Sequence, residues 1–324
     1  MGRIMIPFTD LEVSQISFGT GEVGSSLSQE ASFELLDLYL SLGGNLVDTA
    51  HSYGDWVPGI ERSASEKTIG RWMKQRGNRK DIILSTKGCD PIIGDETHRS
   101  RFTREELLSD LNDSLKFLQT DYIDFYWIHK DEPDKPVDVI LDVLNEEVKA
   151  GKIRYFGCSN WAVSRMQEAD EYAKQHGIKS FIGDQVFWNA AVLQDLPYHS
   201  EDTKYVDEER FQYHLENKTA VFAYQSQAFG VFSRIMNGTL DEMNPGFRSF
   251  YREKETRERF DRMRKVMEDT GYGLTQVVLG YLKGQEIFTI PIVGCRKKEH
   301  LIDSMSALDI KLTAEQIRFI NTGK

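Results

Sequence analysis

Short β-rich runs alternate with amphipathic helical runs along most of this chain of 324 residues. Several of the β-rich runs are continuously apolar, as a strand requires when both of its faces are covered. Eight consecutive strand–helix units favour an α/β fold of the closed (β/α)8 TIM-barrel type over an open sheet. The predicted strands are Gln15–Phe18, Asn45–Thr49, Asp81–Thr86, Tyr122–Ile128, Ile153–Gly157, Phe181–Phe187, Thr219–Ala223 and Ile287–Val293.

The helices between these strands are indicated by apolar residues that recur every three or four positions. One such stripe runs from Leu107 to Leu118, and another runs from Val137 to Val148. Three helix starts show the capping-box spacing, in which Ser or Thr is followed three residues later by Glu or Gln. The three pairs are Ser63 with Glu66, Thr103 with Glu106 and Thr313 with Gln316. The last pair belongs to the extra helices that are expected at the C-terminal end.

The beginning of the chain adds a small element to the predicted barrel. Arg3–Phe8 and Leu11–Val13 flank the turn residues Thr9 and Asp10, which indicates an N-terminal β-hairpin over the barrel bottom. No linker rich in Gly, Ser or Pro divides the sequence, and its composition does not shift along the chain. We therefore expect one barrel domain over residues 1–324, since barrels of this kind often exceed about 250 residues.

Composition excludes several classes of function. Hydrophobic residues make up 40% and charged residues 28% of the chain, which is typical of a folded globular protein. The formal net charge is −11, so nucleic acid is not an expected partner. No apolar run reaches the roughly 18 residues of a membrane span, and the first residues do not read as a secretory signal. Three isolated cysteines, Cys89, Cys158 and Cys295, lack metal-ligand spacing and favour a reducing cytoplasm.

Three successive predicted strands deliver ionisable side chains to one rim of the barrel. Asp48 ends the second strand with Tyr53 in the loop that follows, Lys87 ends the third, and His129 ends the fourth. Catalytic groups of such barrels lie at the carboxyl ends of the strands. An ammonium beside a phenol favours the phenolate, so Lys87 is expected to lower the pKa of Tyr53 toward working pH. If Asp48 holds the lysine and His129 orients a carbonyl oxygen, the four residues form a proton donor for carbonyl reduction.

These four residues resemble, in order and in strand position, the catalytic tetrad of the aldo-keto reductases. Residues Asp48–Gly54 are similar to the first signature of that family, and Gly151–Asn160 are similar to its fifth-strand motif. The resemblance covers nearly the whole chain. It implies a barrel enzyme that reduces a small aldehyde or ketone by hydride transfer from a nicotinamide cofactor, or oxidises the alcohol, with Tyr53 as general acid or base.

The resemblance also implies contacts to the nicotinamide end of the cofactor. Tyr224 would stack on the nicotinamide ring. The residues after it are Gln, Ser and Gln where the family more often has Ser-Pro-Leu, and Ser226 and Gln227 would still donate hydrogen bonds to the pyrophosphate. The side chains that would hold the carboxamide group are Ser159, Asn160 and Gln185.

The segment after the eighth strand is the candidate phosphate site. Backbone N–H groups at a helix start favour a phosphate, and Arg296 and Lys297 add positive charge there. By the resemblance this segment binds the adenosine 2′-phosphate, which favours NADP and leaves NAD as the alternative. His300 stands where many members have Arg, and Asp303 stands where they have Glu beside the adenine. The remaining expected cofactor contacts are Gly19, Thr20 and Gly294.

Three other functions fit parts of the sequence. Gly19–Gly24 spells the dinucleotide fingerprint G-x-G-x-x-G of a Rossmann dehydrogenase, but the run before it carries polar Gln15 and Ser17. The carboxylates of Asp131–Asp134 could belong to a barrel glycoside hydrolase, although a polar loop explains them as well. A non-catalytic barrel that senses its cofactor would share the tetrad, so this class stays open.

The loops that would wall the substrate pocket carry aromatic and polar side chains. Trp56 and Trp188 are the candidate aromatic walls of an apolar mouth. The polar residues in these loops favour a polyol, a sugar or another polar carbonyl compound over a steroid. They are Arg62, Asp90, Arg99, Arg101, Asp195 and His199.

Overall fold

The computed structural model describes residues 2–94, 99–194 and 203–324. Its strands are β1 (Arg3–Met5), β2 (Glu12–Ser14), β3 (Ser17–Gly19), β4 (Leu46–Asp48), β5 (Ile83–Gly88), β6 (Ile123–Ile128), β7 (Ile153–Ser159), β8 (Gly183–Phe187), β9 (Ala220–Tyr224) and β10 (Thr289–Val293). Strands β3 to β10 pair in parallel and in sequential order, and β10 pairs with β3 to close the barrel. The predicted (β/α)8 barrel is confirmed, and each predicted barrel strand overlaps an observed one.

Helices connect the strands and cover the outside of the barrel. Within the described residues they are α1 (Gln29–Ser41), α2 (Ala64–Arg76), α3 (Arg104–Phe117), α4 (Asp138–Lys149), α5 (Val163–His176), α6 (Glu208–Asn217), α7 (Val231–Asn237), α8 (Pro245–Arg248), α9 (Glu253–Thr270), α10 (Leu274–Lys283), α11 (Lys298–Met305) and α12 (Ala314–Thr322). Helix α12 lies beyond the eighth unit and packs on α9, as expected for an extra C-terminal helix.

Aromatic side chains fill the barrel interior and meet the N-terminal hairpin. The ring of Phe125 stacks on Trp127 with centroids 4.1 Å apart, and Phe222 meets Trp127 edge-on at 4.8 Å. Ile6 and Leu11 belong to the same buried cluster. Strands β1 and β2 pair antiparallel, so the predicted hairpin is confirmed. Because this cluster closes one end of the barrel, the rim at the carboxyl ends of the strands is the face that a ligand can reach.

The predicted capping boxes are realised to different degrees. At α12 both reciprocal hydrogen bonds between Thr313 and Gln316 are present. At α3 the Thr103 hydroxyl oxygen accepts from the Glu106 backbone N–H. The prediction for Ser63 is wrong: this residue has a left-handed conformation, with φ of 56°, and its side chain caps nothing.

Glu66, which was expected to complete the Ser63 capping box, is fully buried. Its carboxyl accepts a 2.6 Å hydrogen bond from the Thr86 hydroxyl on β5. Burial raises the pKa of Glu66 to about 8, because the charged form would lose its hydration. At neutral pH Glu66, on the side of α2 that faces β5, is therefore mainly an uncharged acid.

We predict that Glu66→Gln makes the stability of the protein less dependent on pH. Between the ordinary carboxyl pKa of 4.5 and about pH 8, the folded state binds more protons at this group than the unfolded state does. Wild-type stability is therefore lost as the pH rises through this window, by at most ~1.4 kcal/mol per pH unit for one group. Urea unfolding at several pH values measures the slope. The glutamine variant should show a shallower slope, and equal slopes would contradict the prediction.

Candidate active site

The carboxyl ends of neighbouring strands bring the four candidate catalytic residues together. Asp48 is the last residue of β4, and Lys87 is the second-to-last residue of β5. His129 directly follows β6, and Tyr53 lies in the loop between β4 and α2. Parallel pairing of β4 with β5 and of β5 with β6 keeps these strand ends on one rim. The structure thus assembles the tetrad that the sequence predicts.

Lys87 is the centre of this cluster. Its side chain is fully buried, and Nζ donates to Asp48 Oδ2 at 2.6 Å, to the Thr49 carbonyl at 2.6 Å and to the Tyr53 hydroxyl oxygen at 3.1 Å. An ammonium group has three N–H donors, and these three acceptors use all of them. Because the Tyr53 oxygen accepts from the lysine, the phenol proton can be donated to another group.

Asp48 is held from the barrel interior. Its Oδ1 accepts from the Ser85 hydroxyl at 2.8 Å and from Gln185 Nε2 at 2.9 Å. The indole N–H of Trp127 donates to the same Ser85 oxygen at 2.6 Å. Sequence reasoning missed Ser85, although it lies two residues before Lys87 and therefore on the same face of the strand. That spacing is a signal that could have identified it.

Burial decides the protonation state of Tyr53. Desolvation raises the pKa of the phenol above its ordinary value of 10.0, and the charge of Lys87 opposes this rise without cancelling it. The expectation that Lys87 brings the pKa of Tyr53 down toward working pH is therefore wrong in its net direction. Burial disfavours the Lys87 ammonium, but Asp48 and Tyr53 outweigh burial and raise the lysine pKa. At neutral pH both groups keep their protons.

His129 lies beside the cluster as a neutral imidazole. Burial lowers its pKa to about 4. Its ring meets the Tyr53 ring edge-on with centroids 6.1 Å apart. Nδ1 of the ring lies 3.4 Å from Asp90 Oδ2, which also accepts a 2.7 Å hydrogen bond from the Ser52 hydroxyl. The sequence marked Asp90 only as a polar loop residue, and no motif placed it beside the histidine.

A chain of hydrogen bonds leads from Asp48 to the candidate carboxamide contacts. Gln185 donates to Asp48, and the backbone carbonyl of Gln185 accepts from the Ser159 hydroxyl at 2.8 Å. Asn160 Nδ2 donates to the Ser159 oxygen at 3.0 Å. Asn160 Oδ1 accepts from the Tyr224 hydroxyl at 2.7 Å. The structure therefore brings these predicted nicotinamide contacts to one side of the tetrad.

A cavity of about 380 Å³ is lined in part by residues of the segment after β10. Lys297 is the N-cap residue of α11 and is exposed. The side chain of Arg296 is 67% exposed and forms an ion pair with Glu22 in the first βα loop, with 2.7 Å between Nη2 and Oε1. The predicted cofactor contacts that line the cavity are Gln227, Gly294, His300 and Asp303.

Two further expected cofactor contacts, Ser226 and Thr20, donate their side-chain hydroxyls to backbone carbonyls. The Ser226 hydroxyl donates to the Ile292 carbonyl at 2.6 Å. The hydroxyl and the backbone N–H of Thr20 both donate to the Asp48 carbonyl at 2.9 Å. Gly19 is the last residue of β3. The side chains of Ser226 and Thr20 therefore shape the barrel rim in this structure.

The two candidate pocket tryptophans are placed differently. Trp56 is 47% exposed, and its ring meets Tyr53 edge-on at 5.7 Å. Trp188 is 8% exposed and packs against Phe211 in a core cluster. Trp56 is thus the aromatic residue that the structure brings to the tetrad. Asp195 and His199, which the sequence also assigned to the pocket loops, lie outside the described residues.

The closed barrel excludes the Rossmann interpretation of Gly19–Gly24. The next helix begins only at Gln29, after the N-cap residue Ser28, so no helix start lies at these glycines. Among the residues that the structure describes, no group of His, Cys, Asp and Glu is arranged to hold a metal ion. Over the same residues, none of the helices combines the length and apolar character of a membrane span.

Comparison with known proteins defines the class to which this fold and site belong. A family model described as the Aldo/keto reductase family matches residues 15–322. Because this match spans nearly the whole chain, the chain belongs to the aldo/keto reductase family of oxidoreductases.

Several relatives are similar to this chain over more than four-fifths of their own length. The NADP(+) aryl-alcohol dehydrogenase of Phanerodontia chrysosporium is 28% identical, with 98% of this chain and 84% of that protein aligned. Norsolorinic acid reductase B of Aspergillus parasiticus is 30% identical, with 98% and 82% aligned. The probable aryl-alcohol dehydrogenase AAD4 of Saccharomyces cerevisiae is 29% identical, with 92% and 88% aligned.

We predict that Lys87→Met destabilises the protein by about 3–5 kcal/mol, because it leaves Asp48 as a buried charge without its partner. It should also raise the pKa of Tyr53 further, since burial and Asp48 then act unopposed by a cation. Urea unfolding measures the first effect. The pKa of Tyr53 is measured from the difference between the ultraviolet titration of a protein that has Tyr53 and that of its Tyr53→Phe counterpart.

The double variant Asp48→Asn with Lys87→Met is the control. It removes both charges, so we expect it to recover part of the lost stability. If the double variant is as unstable as Lys87→Met alone, the ion pair is not what Lys87 contributes to the fold.

Proposed function

We propose that this protein is an NADP(H)-dependent oxidoreductase that reduces an aldehyde or ketone to the alcohol, or catalyses the reverse reaction. The observation that carries the proposal is one buried ammonium, on Lys87, hydrogen-bonded at once to Asp48 and to the Tyr53 hydroxyl. This arrangement leaves a phenol proton available at the open end of a barrel. A carbonyl oxygen needs such a proton when hydride reaches its carbon.

Each tetrad residue has a separate part in the proposed chemistry. Tyr53 donates its proton to the carbonyl oxygen, and the Lys87 ammonium stabilises the phenolate that remains. Asp48 keeps Lys87 charged and in place. His129 contacts a polar group of the substrate. NADPH, when bound, supplies the hydride.

The protonation state of the cluster favours reduction at neutral pH. Burial raises the pKa of Tyr53, so the phenol is protonated and ready to act as an acid. Alcohol oxidation needs the phenolate as a base, and the fraction of phenolate grows only as the pH rises toward that pKa. We therefore expect oxidation to gain relative to reduction in alkaline solution.

The residues around the rim fit a dinucleotide with a 2′-phosphate. At one end, Ser159, Asn160 and Gln185 place amide and hydroxyl groups beside the tetrad, where a carboxamide could bind. At the other end, Arg296 and Lys297 lie at the start of α11, where backbone N–H groups and positive charge favour a phosphate. The name of the Phanerodontia chrysosporium relative, which includes NADP(+), supports the same choice.

For the substrate we propose a small polar carbonyl compound with an apolar part. Trp56 offers an exposed aromatic face beside Tyr53, and Asp90 and Ser52 place polar groups beside His129. A single domain and a cytoplasmic location remain predictions, and the second is consistent with three buried cysteines that form no disulfide.

We predict that Tyr53→Phe lowers turnover of carbonyl substrates by roughly 10²–10⁴-fold, because the general acid is lost. The affinity for NADPH should stay nearly unchanged, since the phenol is not among the proposed cofactor contacts. Turnover is followed by NADPH absorbance with a panel of aldehydes, ketones and sugars. A wild-type protein that binds NADPH but turns over none of them would support the non-catalytic, cofactor-sensing barrel instead.

We predict that Arg296→Gln weakens NADPH binding roughly 10–100-fold, the effect of losing one charge-assisted hydrogen bond to phosphate. NADH binding should change little, because NADH lacks the 2′-phosphate. Titration of protein fluorescence with each cofactor measures both values. Lys298→Gln is the matched control. Lys298 is the first residue of α11, is exposed and pairs with Glu34. Equal losses for NADPH and NADH would place Arg296 away from the 2′-phosphate.

A further inference from the structure

Asp90 and His129 form a close pair at the open end of the barrel. Asp90 Oδ2 lies 3.4 Å from His129 Nδ1, and their side chains are 22% and 15% exposed. Nδ1 itself is buried and has no aligned hydrogen bond with any described residue. The carboxylate of Asp90 is therefore the polar group that faces this nitrogen.

Ser52 fixes the orientation of the Asp90 carboxylate. The Ser52 hydroxyl donates to Asp90 Oδ2 at 2.7 Å, the same oxygen that faces the histidine. Ser52 lies after β4, Asp90 after β5 and His129 after β6, so the contacts join three consecutive strand ends. The backbone N–H of His129 also donates to the Gly88 carbonyl at 2.9 Å, which holds the base of its side chain.

The position of the carboxylate determines which nitrogen of His129 carries the proton. A neutral imidazole has one N–H group, on either Nδ1 or Nε2. With the proton on Nε2, the lone pair of Nδ1 would face a carboxylate oxygen at 3.4 Å, which is repulsive in a partly buried site. With the proton on Nδ1 the same approach is attractive. Hydrogen bonds of this kind are often long or poorly aligned before a ligand binds and tighten in the complex.

Burial keeps the imidazole neutral against the pull of the neighbouring carboxylates. Asp90 and Asp48 favour the protonated ring, whereas Lys87 and Lys130 oppose it. Burial outweighs the two carboxylates and keeps the pKa of His129 near 4. The choice between the two neutral tautomers is therefore the relevant one at neutral pH.

We propose that Asp90 is a positioning residue that holds the His129 proton on Nδ1, so that Nε2 offers a lone pair to the substrate. An acceptor at this place suits carbonyl compounds with a hydroxyl group on the carbon beside the carbonyl. The hydroxyl donates to Nε2 while the carbonyl oxygen accepts from Tyr53. The inference rests on the proposed reductase function and narrows its substrate class to α-hydroxy aldehydes and ketones. It gives His129 the role of acceptor, whereas the sequence led us to expect a donor to the carbonyl.

The tautomer can be measured without any activity. Nitrogen-15 NMR of the full-length protein with labelled histidine distinguishes a protonated from an unprotonated ring nitrogen, and His129→Gln identifies the signals. We expect the Nδ1–H form in the wild type at neutral pH and loss of this preference in Asp90→Ala. A wild-type ring protonated on Nε2 would overturn the proposal.

Substrate selectivity gives a second test. Lactaldehyde and propanal differ only in the hydroxyl group beside the carbonyl. We expect the ratio of their kcat/KM values to favour lactaldehyde and to fall roughly tenfold in Asp90→Ala, the effect of losing one hydrogen bond. Asp90→Asn should retain part of the preference, because its amide oxygen still accepts from Nδ1–H. Asp134→Ala, at an exposed position of the loop after β6, is the matched control and should leave the ratio unchanged.

The inference and the proposed function fail in different ways. If the wild type reduces neither aldehyde nor any other carbonyl compound, the reductase function is wrong, and the NMR result still decides the tautomer. If the wild type reduces both aldehydes with equal efficiency, or if Asp90→Ala keeps the ratio of the wild type, the role of Asp90 is wrong and the reductase function stands.

Discussion

The ion pair between Lys87 and Asp48 is the interaction on which the open end of the barrel depends. Burying two charges is unfavourable unless their remaining donors and acceptors are also satisfied. Here the ammonium has three acceptors, and both oxygens of the carboxylate accept hydrogen bonds. Satisfying the pair requires groups from β4, β5, β8 and the loop that carries Tyr53. The pair can therefore exist only when these strand ends and this loop are correctly placed, and the proposed proton donor takes its position from that requirement.

Much of the fold could be predicted from the sequence because its signals are local. The apolar stripe from Val137 to Val148 appears as α4, and the strand predictions overlap all eight barrel strands. The Ser63 cap could not be judged in this way. The spacing between Ser63 and Glu66 fits a capping box, but it contains no information on the backbone angle of Ser63 or on the side of α2 that faces β5. Tertiary packing decided both, and it turned Glu66 into a buried acid.

The same distinction applies to the candidate site. Asp48, Tyr53, Lys87 and His129 could be grouped from the sequence because parallel strands place their carboxyl ends on one rim. The net direction of the Tyr53 pKa shift could not be predicted from the sequence. It depends on how much protein surrounds the phenol as well as on one neighbouring charge. The two tryptophans show the same limit: each lies in a loop near the rim, yet only the fold shows that Trp56 is exposed and Trp188 buried.

A chain of hydrogen bonds runs from Asp48 through Gln185, Ser159 and Asn160 to Tyr224. It links the cluster that holds the proposed acid, Tyr53, to the proposed nicotinamide contacts. Several of its members bond to two neighbours, so a change at one position reorients the next. Energetic effects of substitutions within such a network are not additive. Redesign of the cofactor preference at Gln185 or Asn160 would therefore also disturb the cluster that holds Tyr53. Changes near α11 act outside this chain of hydrogen bonds. Evolution or an engineer can alter cofactor choice more independently at the adenosine end than at the nicotinamide end.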